Sequence, residues 1–138
     1  MKTILIIGAS GYIGSKIYKE LNNFYKVYGT FFSNKTFNKN KNFIHYDIDK
    51  HDITNILKST KPNLIISSLR GDFKNQIFAH TIIIEYIKKN NCRMLFLSSS
   101  NVFDAFHHYP SYEFDKTLSE SNYGKIKISI ENKLFKLN

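Results

Sequence analysis

The most constraining feature of this chain is a glycine triplet, Gly8-x-x-Gly11-x-x-Gly14, placed between a short apolar run and an amphipathic segment. The isoleucine-rich run at residues 2–7 predicts a strand buried on both faces. Residues 12–21 repeat apolar side chains at helical spacing. Glycines at this spacing permit a tight turn, a close approach of a ligand to the backbone and close packing of helix on strand. The triplet therefore predicts a βα unit whose helix N-terminus can receive an anion.

Strand and helix patterns alternate along the rest of the chain. Further strands are predicted at residues 26–32, 43–48, 64–68 and 94–98, and further helices at 52–59, 73–89 and 123–137, with polar loops at 33–42 and 101–122. Such alternation is typical of parallel sheets covered on both faces. Right-handed crossovers then give a Rossmann-like, doubly wound α/β fold with strand order 3-2-1-4-5. Because 138 residues suit one domain and no linker or repeat is visible, we expect a single domain, residues 1–138.

Composition narrows the class of protein further. The chain has one cysteine and no apolar stretch approaching the ~20 residues of a membrane span, so we predict no disulfide framework, no membrane association and a cytoplasmic location. Its net charge of +9 would suit nucleic acid, but no recognised motif accompanies it, and we predict no nucleic-acid partner. The pair His107-His108 lacks further ligands at suitable spacing, so we predict no metal site.

A glycine turn of this kind in this context predicts a dinucleotide site, with the helix N-terminus on the pyrophosphate. An acidic residue often follows the second strand and holds the ribose 2′-hydroxyl. Here Phe31 and Phe32 are followed by Ser33 and Lys35. A hydroxyl and an ammonium suit a 2′-phosphate better than a carboxylate would, which favours NADP(H) and leaves NAD(H) open. Lys35 is equally well explained as an ordinary loop lysine.

Ser99 and the run Tyr123-Gly-Lys-Ile-Lys127 predict a proton-transfer site. Side chains four residues apart share one face of a helix, so Tyr123 and Lys127 are expected to lie together. A nearby ammonium favours the phenolate, which then exchanges a proton with a substrate hydroxyl or carbonyl. Ser99 follows the fifth strand, where parallel sheets bind ligands, and can hydrogen-bond the reacting oxygen.

Several stretches together carry a resemblance to a known family. They are residues 8–14, Tyr46-Asp47-Ile48, residues 98–104, residues 113–115, and Tyr123 to Lys127 with Glu131. With these the chain resembles the extended short-chain dehydrogenases/reductases, and within them the dTDP-4-dehydrorhamnose reductase-like group. The resemblance covers essentially the whole chain. It implies hydride transfer from NAD(P)H to a 4-keto nucleotide sugar.

The resemblance also implies roles for individual residues. Ser99, Tyr123 and Lys127 would be the catalytic triad, and Tyr123 and Lys127 would contact the cofactor as well. Asp47 and Ile48 would contact the adenine. The remaining cofactor positions are the glycine turn with its intervening residues, the loop after strand two and the end of strand four: Gly8, Ser10, Gly11, Tyr12, Ile13, Gly14, Ser33, Lys35, Ser68 and Leu69.

The chain departs from the family pattern at several places, and two of them bear directly on the site. Strand four ends Ile66-Ser-Ser-Leu-Arg70, where the family usually shows small alanines. Few residues follow Glu131, so we expect the N-terminal domain alone, without the C-terminal substrate domain. Two kinds of protein partner are candidates. One is a second copy of the chain, which would form a homodimer over the 73–89 and 123–137 helices, and the other is a different chain that completes the cleft. The alternative to a reductase is a non-catalytic NAD(P)-binding or regulatory protein.

Overall fold

The computed structural model describes residues 1–106 and 110–137. The chain divides into two compact units, Met1–Leu97 and Ser98–Asn138. The expectation that the whole chain acts as a single domain stays a prediction.

The first unit is built on a five-stranded, all-parallel sheet, as the sequence predicts. Its strands are β1 (Thr3–Ile7), β2 (Lys26–Phe31), β3 (Phe43–His45), β4 (Leu64–Ser67) and β5 (Arg93–Phe96). Their spatial order is β3-β2-β1-β4-β5, which confirms the predicted 3-2-1-4-5 arrangement. The order changes direction between β2 and β4 around the central β1, which places the ligand-binding crevice at the carboxyl ends of these strands.

Three helices cover the two faces of this sheet. They are α1 (Tyr12–Leu21), α2 (Thr54–Thr60) and α3 (Phe73–Lys89). The buried apolar side chains form two clusters. In one cluster α2 and α3 pack on one face of the sheet, and in the other α1 packs on the opposite face. Strand β1 supplies both clusters, with Leu5, Ile6 and Ile7 fully buried. Burying one such side chain contributes about 1.5–3 kcal/mol, so β1 anchors both layers.

At two of the element boundaries that differ from the predicted ones, side chains capture backbone groups. Strand β3 ends at His45 instead of residue 48, since the Asp47 N–H donates to Nδ1 of His51 at 3.0 Å and the chain turns away. Helix α2 begins at Thr54 instead of residue 52, because Oδ1 of Asp52 accepts the Thr54 N–H at 2.8 Å.

Two short 3₁₀ turns lie where loops or strand ends were predicted. The turn Lys35–Lys39 occupies the predicted polar loop, and Asn34 caps it by accepting the Thr36 N–H at 3.1 Å. The turn Ser100–Phe103 follows β5, which ends at Phe96 instead of residue 98.

The second unit consists of the Ser100–Phe103 turn, a mostly irregular segment and helix α4 (Asn122–Phe135). Ser121 caps α4 by accepting the Gly124 N–H at 3.1 Å. Helix α4 packs on the 3₁₀ turn at Gly124, where an added Cβ would overlap the Asn101 carbonyl and the Ser119 side chain. Across both units, none of the helices in the described ranges has the length and apolar character that a membrane crossing requires.

Candidate cofactor cleft and proton-transfer group

A cleft of about 510 Å³ opens at the carboxyl ends of the central strands of the first unit. Its volume falls within the range of small-molecule sites. It is lined by the glycine turn, the end of β2, the segment after β3 and the loop after β4, namely Gly8, Ser10, Gly11, Tyr12, Ile13, Gly14, Thr30, Phe31, Phe32, Tyr46, Asp47, Ile48, Asp49, Ser68, Leu69, Arg70 and Gly71.

Most of the predicted cofactor residues therefore meet in one place. All six of the glycine-turn positions named from the sequence line the cleft, as do the predicted pairs Asp47-Ile48 and Ser68-Leu69. Ser33 and Lys35 do not belong to this lining. Lys35 instead begins the 3₁₀ turn after β2.

Thr30 holds the glycine turn in shape from the neighbouring strand. Its Oγ1 accepts the Gly8 N–H at 2.8 Å, and its carbonyl accepts the Ser10 N–H at 3.3 Å. Gly8 has φ +84°, a left-handed conformation that glycine adopts without strain. On the other side, the Ser68 hydroxyl lies within hydrogen-bond distance of the Ile7 and Gly8 carbonyls, at 3.1 and 3.2 Å. Strands β2 and β4 thus fix the turn from both sides.

The N-terminus of α1 is open toward the cleft. Gly11 occupies the N-cap position and provides no side-chain cap, and the first turn of α1 contains no acidic residue. The first N–H groups of a helix have no intrahelical partner and favour a negative charge. A Cβ on Gly11 would meet only the Gly8 carbonyl, at 3.3 Å. The turn therefore leaves backbone donors within reach of a phosphate, which fits a dinucleotide.

The end of the cleft beside β2 is aromatic. Phe31 and Phe32 line it, and the Phe32 ring stacks on His45 with centroids 6.4 Å apart. Phe32 is 59% exposed, so its ring face is available to a ligand. No carboxylate follows β2 directly, as the sequence indicates. The ribose at this end would therefore meet ring carbons instead of an acid.

The segment after β3 provides the polar wall of the cleft. Burial, with smaller contributions from the Asp52 and Asp47 carboxylates, raises the pKa of Tyr46 to about 12, so the phenol stays neutral. Oδ1 of Asp47 accepts the Asp49 N–H at 3.0 Å, and Oδ2 lies 3.5 Å from Nζ of Lys50. Oδ1 of Asp49 accepts from Nδ2 of Asn75 at 2.8 Å. Both carboxylates are therefore held by groups of the chain itself.

The loop after β4 contributes residues that the sequence analysis did not assign to the site. Arg70 is the only lysine or arginine among the described residues that line the cleft. Gly71 has φ +137°, and a Cβ there would lie 2.7 Å from Cγ2 of Ile48. Arg70 follows the predicted pair Ser68-Leu69 directly, so its position three residues beyond the end of β4 was the available signal. Thr30 and Phe31, which end β2, carry a similar signal, as does Phe32, which follows β2 directly.

The predicted catalytic residues all belong to the second unit. The Ser99 hydroxyl donates to Oδ1 of Asn101 at 2.9 Å and accepts the Asn101 N–H at 3.2 Å, which fixes its rotamer. Tyr123 and Lys127 share a face of α4, with Nζ of Lys127 5.5 Å from the Tyr123 ring centroid. Tyr123 is 41% exposed, whereas Lys127 is buried. The pair thus presents an accessible phenol backed by an ammonium within cation–π range.

Asp104 ties the two segments that carry these residues. It follows the 3₁₀ turn after Ser99, and its carboxylate accepts the Glu120 N–H at 2.7 Å and the Ser121 hydroxyl at 2.5 Å. Ser121 is the N-cap of α4, two residues before Tyr123. The hydrogen bonds, that of Ser121 above all, lower the pKa of Asp104 to about 2. An ionised Asp104 therefore fixes the start of the helix that bears Tyr123.

Metal ligation finds no support in the part of the chain that the structure describes. Within residues 1–106 and 110–137, no three histidine, cysteine, aspartate or glutamate side chains come together as a metal site would need. The pair His107-His108, for which the sequence predicts no metal role, lies outside the described residues.

Comparison with known proteins gives the family. The model of the NAD dependent epimerase/dehydratase family matches residues 4–137. No curated protein matches the chain. Among solved structures, the enzyme WbmG of Bordetella bronchiseptica, crystallised with NAD and UDP, aligns with a TM-score of 0.77 at 15% identity, over 96% of this chain and 48% of that one.

Two further solved structures show similar agreement. The UDP-glucuronic acid 4-epimerase of Bacillus cereus, in complex with NAD, has a TM-score of 0.71 at 19% identity and covers 98% of this chain and 52% of its own. A dTDP-4-dehydrorhamnose reductase of Clostridium acetobutylicum has a TM-score of 0.67 at 26% identity, over 99% of this chain and 50% of its own. The chain spans about half the length of the solved structures that it matches.

Proposed function

The chain belongs to the NAD dependent epimerase/dehydratase family, and on that premise we propose that its cleft binds a nicotinamide dinucleotide. The observation that carries this proposal is the glycine turn, which leaves the N-terminus of α1 open at the floor of a cleft of about 510 Å³. The backbone N–H groups there would hold the pyrophosphate. The Asp47 and Ile48 side of the cleft would receive the adenine, as the family resemblance implies.

We propose NADPH over NADH as the preferred cofactor. The support is the absence of a carboxylate at the end of β2, where Phe31 and Phe32 line the cleft. An acid at this place would repel a 2′-phosphate. Ser33 and Lys35 follow in the chain and would supply a hydroxyl and an ammonium nearby, although neither lines the cleft in this structure.

For the reaction we propose reduction of the 4-keto group of a nucleotide sugar. The nicotinamide would supply the hydride to the carbonyl carbon. Tyr123 would give its phenolic proton to the carbonyl oxygen, so that the ketone becomes an alcohol and the cofactor leaves oxidised. Lys127 would stabilise the resulting phenolate, and Ser99 would turn its hydroxyl proton from Oδ1 of Asn101 to the reacting oxygen. The 26% identity to a dTDP-4-dehydrorhamnose reductase supports this choice.

The test is direct titration of the purified chain with NADPH and NADH, by calorimetry or cofactor fluorescence. We expect saturable binding that is tighter for NADPH. Turnover is then assayed with a dTDP-4-keto-6-deoxy sugar, where a reductase consumes one NADPH per product and an epimerase leaves the cofactor pool unchanged. Absence of binding by either cofactor at millimolar concentration would contradict the proposal.

Tyr123→Phe separates the reductase from a non-catalytic cofactor-binding protein. The substitution removes the exchangeable proton and keeps the ring beside Lys127, so it should abolish reduction and leave cofactor affinity within about twofold. If the unsubstituted chain binds NADPH and reduces no nucleotide sugar, the non-catalytic alternative is favoured.

We further propose a cytoplasmic location and a homodimer formed through α3 and α4. Phe78 on α3 is 63% exposed, and an apolar side chain exposed on this helix supports the involvement of α3. Light scattering or sedimentation would give the mass in solution. A monomer at micromolar concentration would rule out a stable dimer.

A further inference from the structure

We propose that Arg70 binds the pyrophosphate of the cofactor and is the residue that supplies a full positive charge to the cleft. This inference rests on the dinucleotide binding proposed above and extends it to a residue that the family pattern does not predict.

The position of Arg70 follows from the strand order. Strand β4 lies next to β1, so the loop after β4 faces the glycine turn after β1. The Ser68 N–H donates to the Ile7 carbonyl at 2.9 Å, and the Ser68 hydroxyl lies 3.2 Å from the Gly8 carbonyl oxygen. Arg70 comes two residues later and lines the same cleft as the glycine turn. Its backbone is therefore held beside the place where the pyrophosphate would lie.

The loop that carries Arg70 is fixed on its other side as well. Gly71, with φ +137°, packs so closely on Ile48 that an added Cβ would displace the Ile48 side chain. Its carbonyl accepts from Nε2 of Gln76 at 2.8 Å, and Gln76 is buried in α3. Asp72 then caps α3 by accepting the Lys74 N–H at 2.9 Å. The guanidinium thus extends from an anchored backbone, which lowers the entropic cost of binding a ligand.

The charges of the cleft require such a group. Asp47 and Asp49 line the cleft, and a pyrophosphate would bring two further negative charges. The α1 N-terminus offers only about half an elementary charge. Within the described residues, no hydrogen bond or ion pair engages the Arg70 guanidinium, so it is available to a ligand. It would meet the phosphates without having to break an internal contact.

The chemistry of arginine also fits this role. Of the chain's 20 basic residues only Arg70 and Arg93 are arginines, and the others are lysines. A guanidinium presents a rigid fork of N–H donors that matches two phosphate oxygens, whereas an ammonium acts as a point charge.

The strand order favours the pyrophosphate over the 2′-phosphate as the partner of Arg70. The 2′ position of the adenosine ribose is expected at the end of β2, and β2 and β4 lie on opposite sides of β1. A residue after β4 is therefore closer to groups that NADH and NADPH share. This distinction can be measured.

The experiment compares Arg70→Gln with the matched control Arg93→Gln. Arg93 is exposed and begins β5, so it lies at the amino edge of the sheet, opposite the cleft. Both substitutions remove one positive charge. Affinities for NADH, NADPH, ADP and adenosine are measured by calorimetry at fixed salt, after circular dichroism has shown unchanged folding.

We expect Arg70→Gln to weaken NADH, NADPH and ADP about 10- to 100-fold each, as for lost hydrogen bonds to a charged group. Adenosine should bind equally to all variants, Arg93→Gln should behave like the unsubstituted chain, and Arg70→Lys should fall between. Unchanged NADH and ADP affinity in Arg70→Gln overturns the inference, and so does a loss confined to NADPH. Failure of the unsubstituted chain to bind any of the four ligands overturns the proposed function instead, together with this inference.

Discussion

Replacing Gly14 by alanine isolates the contact between α1 and the turn after β1. An added Cβ would lie 2.9 Å from Cα of Ala9 and closer still to the Gly8 carbonyl oxygen. Both are backbone atoms, so no side chain can rotate away. The N-terminus of α1 must therefore move outward, and Ile17 and Leu21, which pack on the core through this helix, must move with it.

Two opposing terms set the magnitude of the effect. Alanine is a better helix former than glycine by up to ~1 kcal/mol. Overpacking in a well-packed contact costs about 1–3 kcal/mol. The added Cβ would meet backbone atoms, which cannot rotate away, so the cost here lies near the upper end of that range. We therefore expect Gly14→Ala to lower the free energy of unfolding by about 2 kcal/mol. The unfolding equilibrium constant would rise roughly 30-fold.

Urea denaturation followed by circular dichroism measures this difference, with Gly11→Ala as the matched control. Gly11 belongs to the same motif, has φ −75° and would place its Cβ 3.3 Å from its only near neighbour. Its replacement should lower the free energy of unfolding by no more than about 1 kcal/mol, the preference for glycine over alanine at an N-cap. It should also weaken cofactor binding, because Gly11 lines the cleft. A Gly14→Ala chain as stable as the unsubstituted one would refute the packing argument.

Three further predictions concern single side chains. The pKa of Asp104 in the folded chain is about 2, so the ionised carboxylate contributes stability at pH values above the ordinary carboxyl pKa. That contribution is lost as the pH falls toward 2. The free energy of unfolding of Asp104→Asn should therefore depend less on pH in this window than that of the unsubstituted chain. Burial raises the pKa of Cys92 to about 11. At pH 8 the folded chain should therefore react with a thiol reagent far more slowly than the chain unfolded in urea. Equal rates for the folded and unfolded chains would contradict this prediction. Ile83 is fully buried against the sheet, so Ile83→Ala should cost about 2–5 kcal/mol in urea denaturation, whereas a loss under 1 kcal/mol would mean that the core refills the space.

The regular elements of the first unit were predictable because periodicity and end signals agree. Helix α3 spans Phe73–Lys89 as predicted, since an apolar stripe runs between Asp72, which caps it, and Asn90. Helix α1 matches its predicted bounds for the same reason, with a glycine turn before it and Asn22 after it. The strand order followed from crossover handedness together with the doubly wound arrangement that alternating strands and helices indicate.

The misplaced boundaries and the unassigned site residues have a common cause. Whether the Asp47 N–H continues a ladder or bonds the His51 ring depends on side-chain geometry that no pattern encodes. The hydroxyl of Ser33 and the charge of Lys35 likewise favoured a place at the cofactor, whereas the segment that lines the cleft stops at Phe32, directly after β2. Arg70 was passed over because a single cation in a loop carries no periodic signal.

The central position of β1 has a consequence for synthesis on the ribosome. Strand β1 pairs with β2 on one side and with β4 on the other. Between the emergence of Phe31 and that of Ser67, one edge of β1, which is apolar except for Thr3, has no partner. At a translation rate on the order of 5–20 residues per second, this interval lasts roughly 2–7 seconds. The nascent chain therefore passes through a stage at which β1 can pair with strands from other molecules. Slower elongation between these residues should increase aggregation, which pelleting of newly made chains would measure.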